Sequence, residues 1–314
     1  MQCWQIRPPT PVLSSIADFF IRHGVALMGP GDAGPWSRDV YRHDYAGDNR
    51  IKKFAADMAD GDAILLRTGP AQIRAVGLVV GPYAYESRFD DVHGFDLQHC
   101  RRVRWCKLPQ DYQLGGSAFT KGRFSRVQES QVREYVSRFL ASPPTHWRQA
   151  PLPGLPLEEP PWDGVPPTIA GITAQAQDLS PQLEDRRNFG EAPSEAELVC
   201  HFVVPLLRAL GWPPELIAVE WRDVDVAAFR KLPRASENCQ LLIEAKRPGA
   251  DVEVALEQVR GYAQELGIRS DVIITDGIRY RMFAGAGYLE PVAYANLNRL
   301  RPSAADLLER MKRI

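Results

Sequence analysis

Residues 241–247 read Leu-Leu-Ile-Glu-Ala-Lys-Arg. In an extended strand, side chains two apart share a face, so Glu244 and Lys246 project together while Leu241, Ile243 and Ala245 take the other side. Upstream, residues 220–228 read Glu-Trp-Arg-Asp-Val-Asp-Val-Ala-Ala, a second strand-like stretch with Asp223 and Asp225 on one face. Two such strands side by side would gather Asp225, Glu244 and Lys246 into one cluster. Paired carboxylates suit a hard divalent cation, Mg²⁺ or Mn²⁺, which keeps several waters and meets phosphate oxygens. Such an ion can polarise a phosphoryl oxygen and lower the pKa of a bound water. Lys246, kept protonated by its acidic neighbours, would orient that water or neutralise developing negative charge. Glu-x-Lys alone is short and reads equally well as an ion pair at a sheet edge.

The elements around the motif carry further signals. Gln258 and Tyr262 are four apart, so on a helix they share a face beside the apolar stripe Val252, Leu256, Val259, Ala263 and Leu266. Asp271-Val-Ile-Ile-Thr leads into Asp276-Gly277, a two-residue hairpin signal, and Ile278 to Phe283 alternates as a returning strand. Residues 303–313 read as a terminal amphipathic helix with Leu307, Leu308 and Met311 inward.

The segment from Ser194 to Trp212, followed by Asp225, Glu244-Ala245-Lys246 and Gln258-x-x-x-Tyr262, resembles the PD-(D/E)xK nuclease domain over roughly residues 190–300. The likeness is to the version at the N-terminus of type I restriction motor subunits. It implies Asp225 and Glu244 as metal ligands, Lys246 as the catalytic lysine, Glu197 as the acid of the first helix, and Gln258 and Tyr262 as the Gln-x-x-x-Tyr pair. Glu197 has a structural rival role, because Ser194-x-x-Glu197 is a capping box. Glu195 is the alternative acid, and Asp223 the alternative to Asp225.

The whole chain sets the frame. Its 314 residues, 45% hydrophobic, are enough for two cores. The sequence shows no apolar run of the roughly 20 residues that a membrane span needs, and the N-terminus lacks a signal-peptide pattern, so a cytoplasmic protein is expected. Five scattered cysteines form no Cys-x-x-Cys pair and argue against a disulfide framework or a structural zinc site. With 38 basic and 39 acidic residues the net charge of −1 leaves nucleic-acid binding to local basic strips. Arg101, Arg102, Arg104 and Lys107 make one strip; Lys121, Arg123 and Arg126 make another. Residues 143–167 carry nine prolines, which reads as an extended connector, continued by poorly patterned sequence to residue 190.

In the N-terminal part, a helix over 51–59 is followed by strands over 61–67, 73–80 and 103–107. Helix, Gly-Asp-x-hydrophobic strand, Ala-Val-Gly-x-Val strand, Tyr83-x-Tyr85 and a basic strand ending in Val-x-Trp105 together resemble the EVE-like members of the PUA superfamily over roughly residues 20–135. That resemblance implies a nucleic-acid reader that takes a base, often a modified one, out of the stack. Such a pocket needs aromatic faces and polar groups for the base edge. Trp36, Tyr83, Tyr85, Phe89 and Trp105 are candidate faces, and Arg102 and Arg104 candidate phosphate contacts.

The expected architecture is a two-domain α+β and α/β protein. A PUA/EVE-like β-barrel with helices occupies 1–142, a proline-rich linker 143–190, and a restriction-endonuclease-like α/β sandwich around a mixed sheet 191–314. The expected function is metal-dependent cleavage of double-stranded DNA, modification-dependent as in restriction or phage defence, by a homodimer. Rival expectations are a non-cleaving reader, or an effector nuclease on RNA or single strands switched on by a partner or a small signalling ligand.

Overall fold

A computed structural model describes residues 1–9, 13–29, 31, 34–37, 50–114, 122–145, 147–184, 193–247, 252–284 and 291–313. Lys121 of the second basic strip lies outside them. The chain is a two-domain α+β protein and divides into two compact units, Met1–Glu158 and Glu159–Ile314, each with its own six-stranded mixed sheet.

In the first unit the strands are β1 (Cys3–Ile6), β2 (Val25–Met28), β3 (Ala63–Arg67), β4 (Gln72–Tyr85), β5 (His99–Gln113) and β6 (Phe124–Arg126), in the spatial order β2-β5-β4-β3-β1-β6. Only β1 and β3 run parallel. Helices α1 (Leu13–His23), α2 (Arg50–Lys52, continued by a π turn Lys53–Asp57) and α3 (Ser130–Ala141) accompany the sheet. Among the described residues the strand order ends at β2 on one side and at β6 on the other.

Strands β4 and β5 are longer than alternation alone suggested, because bulges let one ladder bend without stopping. Val79 pairs with Val103, but the next pair is Tyr83 with Arg101. The surplus residues include Gly81, whose φ of 80° suits glycine. This offset sets Tyr85 opposite His99.

Asp62 ties the sheet to the N-terminus. Its buried carboxylate accepts from the Gln2 amide at 2.6 Å, the Trp4 indole at 2.9 Å and the Ala59 amide at 3.1 Å. Asp62→Ala strands these donors, and each buried unsatisfied group costs about 1–3 kcal/mol. Urea unfolding of this variant is therefore expected to show a loss of about 2–4 kcal/mol in the first unit.

The second unit holds β7 (Ile217–Trp221), β8 (Val224–Phe229), β9 (Cys239–Ala245), β10 (Asp271–Thr275), β11 (Arg279–Phe283) and β12 (Pro291–Asn296), in the order β12-β11-β10-β9-β8-β7. Its helices are α4 (Pro167–Glu184), α5 (Glu195–Leu198), α6 (Val204–Ala209), α7 (Val252–Glu265) and α8 (Ala304–Met311); the π turn Val199–Val203 joins α5 to α6. The central strand β9 is buried along its whole length, parallel to β10 and antiparallel to β8. Near-continuous hydrophobic character is what a strand covered on both faces requires.

The expected hairpin at Asp276-Gly277 forms with a longer loop, since Thr275 pairs with Tyr280. The Asp276 carboxylate accepts from the amides of Ile278 and Arg279 and shapes the turn. The terminal helix forms with Leu307, Leu308 and Met311 buried as expected.

Two expectations are corrected. The reading of 168–190 as unpatterned connector fails over α4, whose Ile169, Thr173 and Ala176 are buried. This stripe at helical spacing is small and partly polar, and therefore faint in sequence. Nor is the proline-rich run a free spacer along its length. Glu159 accepts from Ser303, its carboxylate meeting the amide and hydroxyl at 2.8 Å each, and the Trp162 amide donates to Leu300.

Candidate functional site

Antiparallel pairing of β8 with β9 places Val226 opposite Ile243 and so carries Asp225 to the position facing Glu244. The register is locked at that point, because the Ala245 amide donates to Asp225 Oδ2 at 2.7 Å. Lys246 follows directly on β9. Its amide donates to the Thr275 carbonyl at 2.7 Å, which fixes its backbone to the end of β10. From there its ammonium donates to Glu244 Oε1 at 2.7 Å. Asp225, Glu244 and Lys246 are thus brought together as expected. Asp223 is set aside in the β7–β8 turn with a left-handed φ of 69° and an exposed side chain.

Of the two glutamates on the first helix, Glu195 and not Glu197 is brought to the lysine. Glu195 Oε2 lies 3.6 Å from Lys246 Nζ, whereas Glu197 reaches back to its own N-cap. Glu197 Oε2 accepts from the Ser194 amide at 2.7 Å and the Ser194 hydroxyl at 2.8 Å, and the Glu197 amide donates to Ser194 Oγ at 3.2 Å. A carboxylate engaged in a capping box stays at the helix end. These bonds also hold the Glu197 carboxyl below its ordinary range.

The cluster is electrostatically tense. Burial raises the Asp225 carboxyl above its usual range, against the Ala245 amide and Lys246, with Glu195 and Glu220 adding to the rise. Burial likewise raises Glu244, against the Lys246 hydrogen bond, and the Asp225 charge adds to it. Burial alone would lower Lys246, but the bond to Glu244 and the charges of Glu244, Glu195 and Asp225 outweigh it and the ammonium is favoured. Glu244 is 1% exposed, and its Oε2 is buried without a hydrogen-bond partner. An orphaned buried acceptor in a carboxylate pair is a position a cation satisfies. Among the described residues there is no group of three or more His, Cys, Asp or Glu arranged to hold a metal. Two carboxylates still fit Mg²⁺ or Mn²⁺, since Mg²⁺ fills its octahedron largely with water and substrate oxygens.

Gln258 and Tyr262 share a face of α7, where the Gln258 amide donates to Tyr262 Oη at 2.8 Å. Gln258 is exposed, whereas the Tyr262 ring packs against the core.

In the first unit the aromatic candidates separate. Tyr83 Oη accepts from the Trp36 amide at 3.0 Å and lies 2.8 Å from His99 Nδ1. Tyr85 Oη donates to the Gly31 carbonyl at 2.5 Å, and both tyrosine rings pack on the buried His99 ring. Trp105 is not brought there. Its indole donates to the Val25 carbonyl at 2.7 Å, and its ring covers Gly77, where a Cβ would meet Cε3 at 2.7 Å. Phe89 is wholly buried core. Arg102 and Arg104 donate to main-chain carbonyls of Pro153 and Ala150.

Asp96, Gln98 and His99 are not among the candidates read from the sequence. Asp96 accepts from the Gly31 amide at 3.1 Å. The Gln98 side chain presses on Gly31, where a Cβ would stand 1.5 Å from Oε1, and that oxygen is buried without a hydrogen-bond partner. A buried polar cluster immediately before a strand of alternating character was the available signal. Thiol chemistry is disfavoured at two of the cysteines, since burial pushes Cys3 and Cys100 up to about 12.

Residues 4–123 match the family model described as a domain of unknown function, DUF8426. The match assigns no activity. No curated protein matches the chain. Among solved structures, a fragment described as an HsdR subunit of a type I restriction enzyme from Vibrio vulnificus is similar at 19% identity, with a TM-score of 0.25. The alignment covers 38% of this chain and 25% of that one, so this chain spans about a quarter of the length of that protein. The resemblance is too slight to bear on the chemistry of the cluster. Among the described residues no helix is long and apolar enough to cross a membrane.

Proposed function

We propose that the second unit hydrolyses phosphodiester bonds of double-stranded DNA at the Asp225, Glu244 and Lys246 cluster, with Mg²⁺ or Mn²⁺ as cofactor. The observation that carries this reading is the pair of carboxylates set across β8 and β9 beside a charged lysine, one of them with an orphaned buried oxygen. Asp225 and Glu244 would hold the cation, which supplies Lewis acidity at the phosphoryl group and a water of lowered pKa. Lys246 remains an ammonium and offers its proton-bearing face to the charge that develops on phosphate oxygens. Glu195, whose Oε2 lies 3.6 Å from the ammonium, helps to hold Lys246 in place. Among the described residues each chain has one such cluster, so cutting both strands calls for two chains on the duplex.

The first unit, on this reading, recognises the nucleic acid to be cut, with a modified base as its target in restriction of foreign DNA. Trp36, Tyr83 and Tyr85 offer aromatic surface and Gln98 an unsatisfied acceptor for a base edge. Matched duplexes carrying cytosine, methylcytosine or hydroxymethylcytosine test this half. Gln98→Ala is expected to weaken binding to the preferred duplex by about 10-fold, the effect of about 1.4 kcal/mol. Equal affinity for all three duplexes, unaltered in Gln98→Ala, would remove the reader.

A further inference from the structure

The proline-rich run is laid against the basic strand. The Ala150 carbonyl accepts from Arg104 Nε at 3.1 Å, the Pro153 carbonyl from Arg102 Nη2, and the Pro156 carbonyl from Arg88 Nη1 at 3.1 Å. His23 Nδ1 lies 3.3 Å from the Gly154 carbonyl, and Ser87 Oγ donates to Glu158 Oε1 at 2.6 Å. The three carbonyls that accept from arginine are spaced three residues apart, the repeat of a polyproline II turn. Gly24 makes room for the arm: its φ is 59°, and a Cβ there would meet the Pro153 ring at 2.8 Å.

Five polar contacts hold this strap, and its Leu152, Leu155 and Pro156 side chains are half-buried. Residues 151–158 include no buried side chain, and Leu157 is 96% exposed. Three of its partners are guanidinium groups bonded to neutral carbonyl oxygens, with Arg88 also paired to the Glu86 carboxylate at 3.0 Å, whereas a phosphate offers a guanidinium an anionic partner of bidentate geometry. The arm therefore occupies cationic donors that an anionic backbone would hold better. We propose that residues 150–158 are a releasable cover on a phosphate-binding edge formed by Arg88, Arg102 and Arg104, and that the backbone of a bound nucleic acid displaces them. This rests on the reading of the chain as a nucleic-acid enzyme and adds a regulated contact to it.

The full-length variant carrying Pro151→Ser, Pro153→Ser and Pro156→Ser loosens the arm and leaves every arginine in place. Binding of a duplex of arbitrary sequence is expected to tighten about 10-fold, and the slope of log K against log salt to steepen by about 2–3, near 0.9 per phosphate neutralised. Adding Arg102→Gln and Arg104→Gln to that variant should abolish the gain. In the wild type, saturating DNA should speed proteolysis within 150–158. Unchanged affinity and salt slope in the proline variant, with arm proteolysis indifferent to DNA, would overturn the cover. A chain that shows these effects but never cuts DNA leaves the cover standing and removes the nuclease reading alone.

Discussion

Lys246→Ala is expected to lower the rate of DNA cleavage by about 10²–10³ at saturating substrate, the scale on which one preorganised electrostatic group acts in a transition state. DNA affinity should stay nearly unchanged, because the ammonium is committed to Glu244 and Glu195 rather than to a distant phosphate track. Glu195→Gln should cost less, since it only loosens the lysine through a 3.6 Å contact. Glu197→Gln should leave cleavage close to wild type and reduce stability through its cap, by about 0.5–2 kcal/mol. This ordering separates a lysine that meets developing charge from one that merely neutralises a buried glutamate. Circular dichroism establishes that each variant is folded, and single-turnover kinetics measures the chemical step.

The second large effect concerns stability. Asp225 and Glu244 both have raised folded-state pKa values, so each binds its proton more tightly in the folded chain than in the unfolded one. Their contribution is fully present below the unfolded carboxylate range, near about 4, and is lost as pH rises through the raised folded values. In chelator, the second unit should therefore lose stability from this source between weakly acidic and neutral pH. Lys246, also raised, keeps its contribution throughout that window and loses it only in the alkaline range. A divalent cation removes the carboxylate repulsion, so Mn²⁺ should raise Tm more at pH 7.5 than at pH 5. Asp225→Asn should raise Tm in chelator by about 2–4 °C and remove most of the response to Mn²⁺. Calorimetric scans at both pH values, with and without the ion, decide it. A metal-independent Tm in the wild type would mean that the two carboxylates do not form a cation site.

The strands that build this cluster were legible because alternation and burial coincide there. Leu241, Ile243 and Ala245 read as one face of a strand, Val224 and Val226 as one face of its neighbour, and the antiparallel register then sets Asp225 against Glu244. The choice between Glu195 and Glu197 was less legible. Both stand in the first turn of a short helix, and the capping box that removes Glu197 from the cluster is a local bond competing with a tertiary one. Helix α4 was hidden for a different reason. Its buried stripe is Ile169, Thr173 and Ala176, and Pro181 lies within it, so composition and proline density pointed to connector. In the first unit, the bulge around Gly81 decides which aromatic residues meet. It brings Tyr83 and Tyr85 to His99 while Trp105, further along β5, covers Gly77 instead. A bulge adds residues to one strand only, and neither alternation nor spacing in the sequence announces which.

The most direct test of the central claim is cleavage of a duplex DNA by the full-length protein with Mg²⁺ or Mn²⁺ and with chelator, beside Glu244→Ala and Lys246→Ala under the same conditions. The account predicts cutting by the wild type that depends on the ion and is lost in both variants while DNA binding persists. Cutting that survives in chelator, or that proceeds at the wild-type rate in Lys246→Ala, would contradict it.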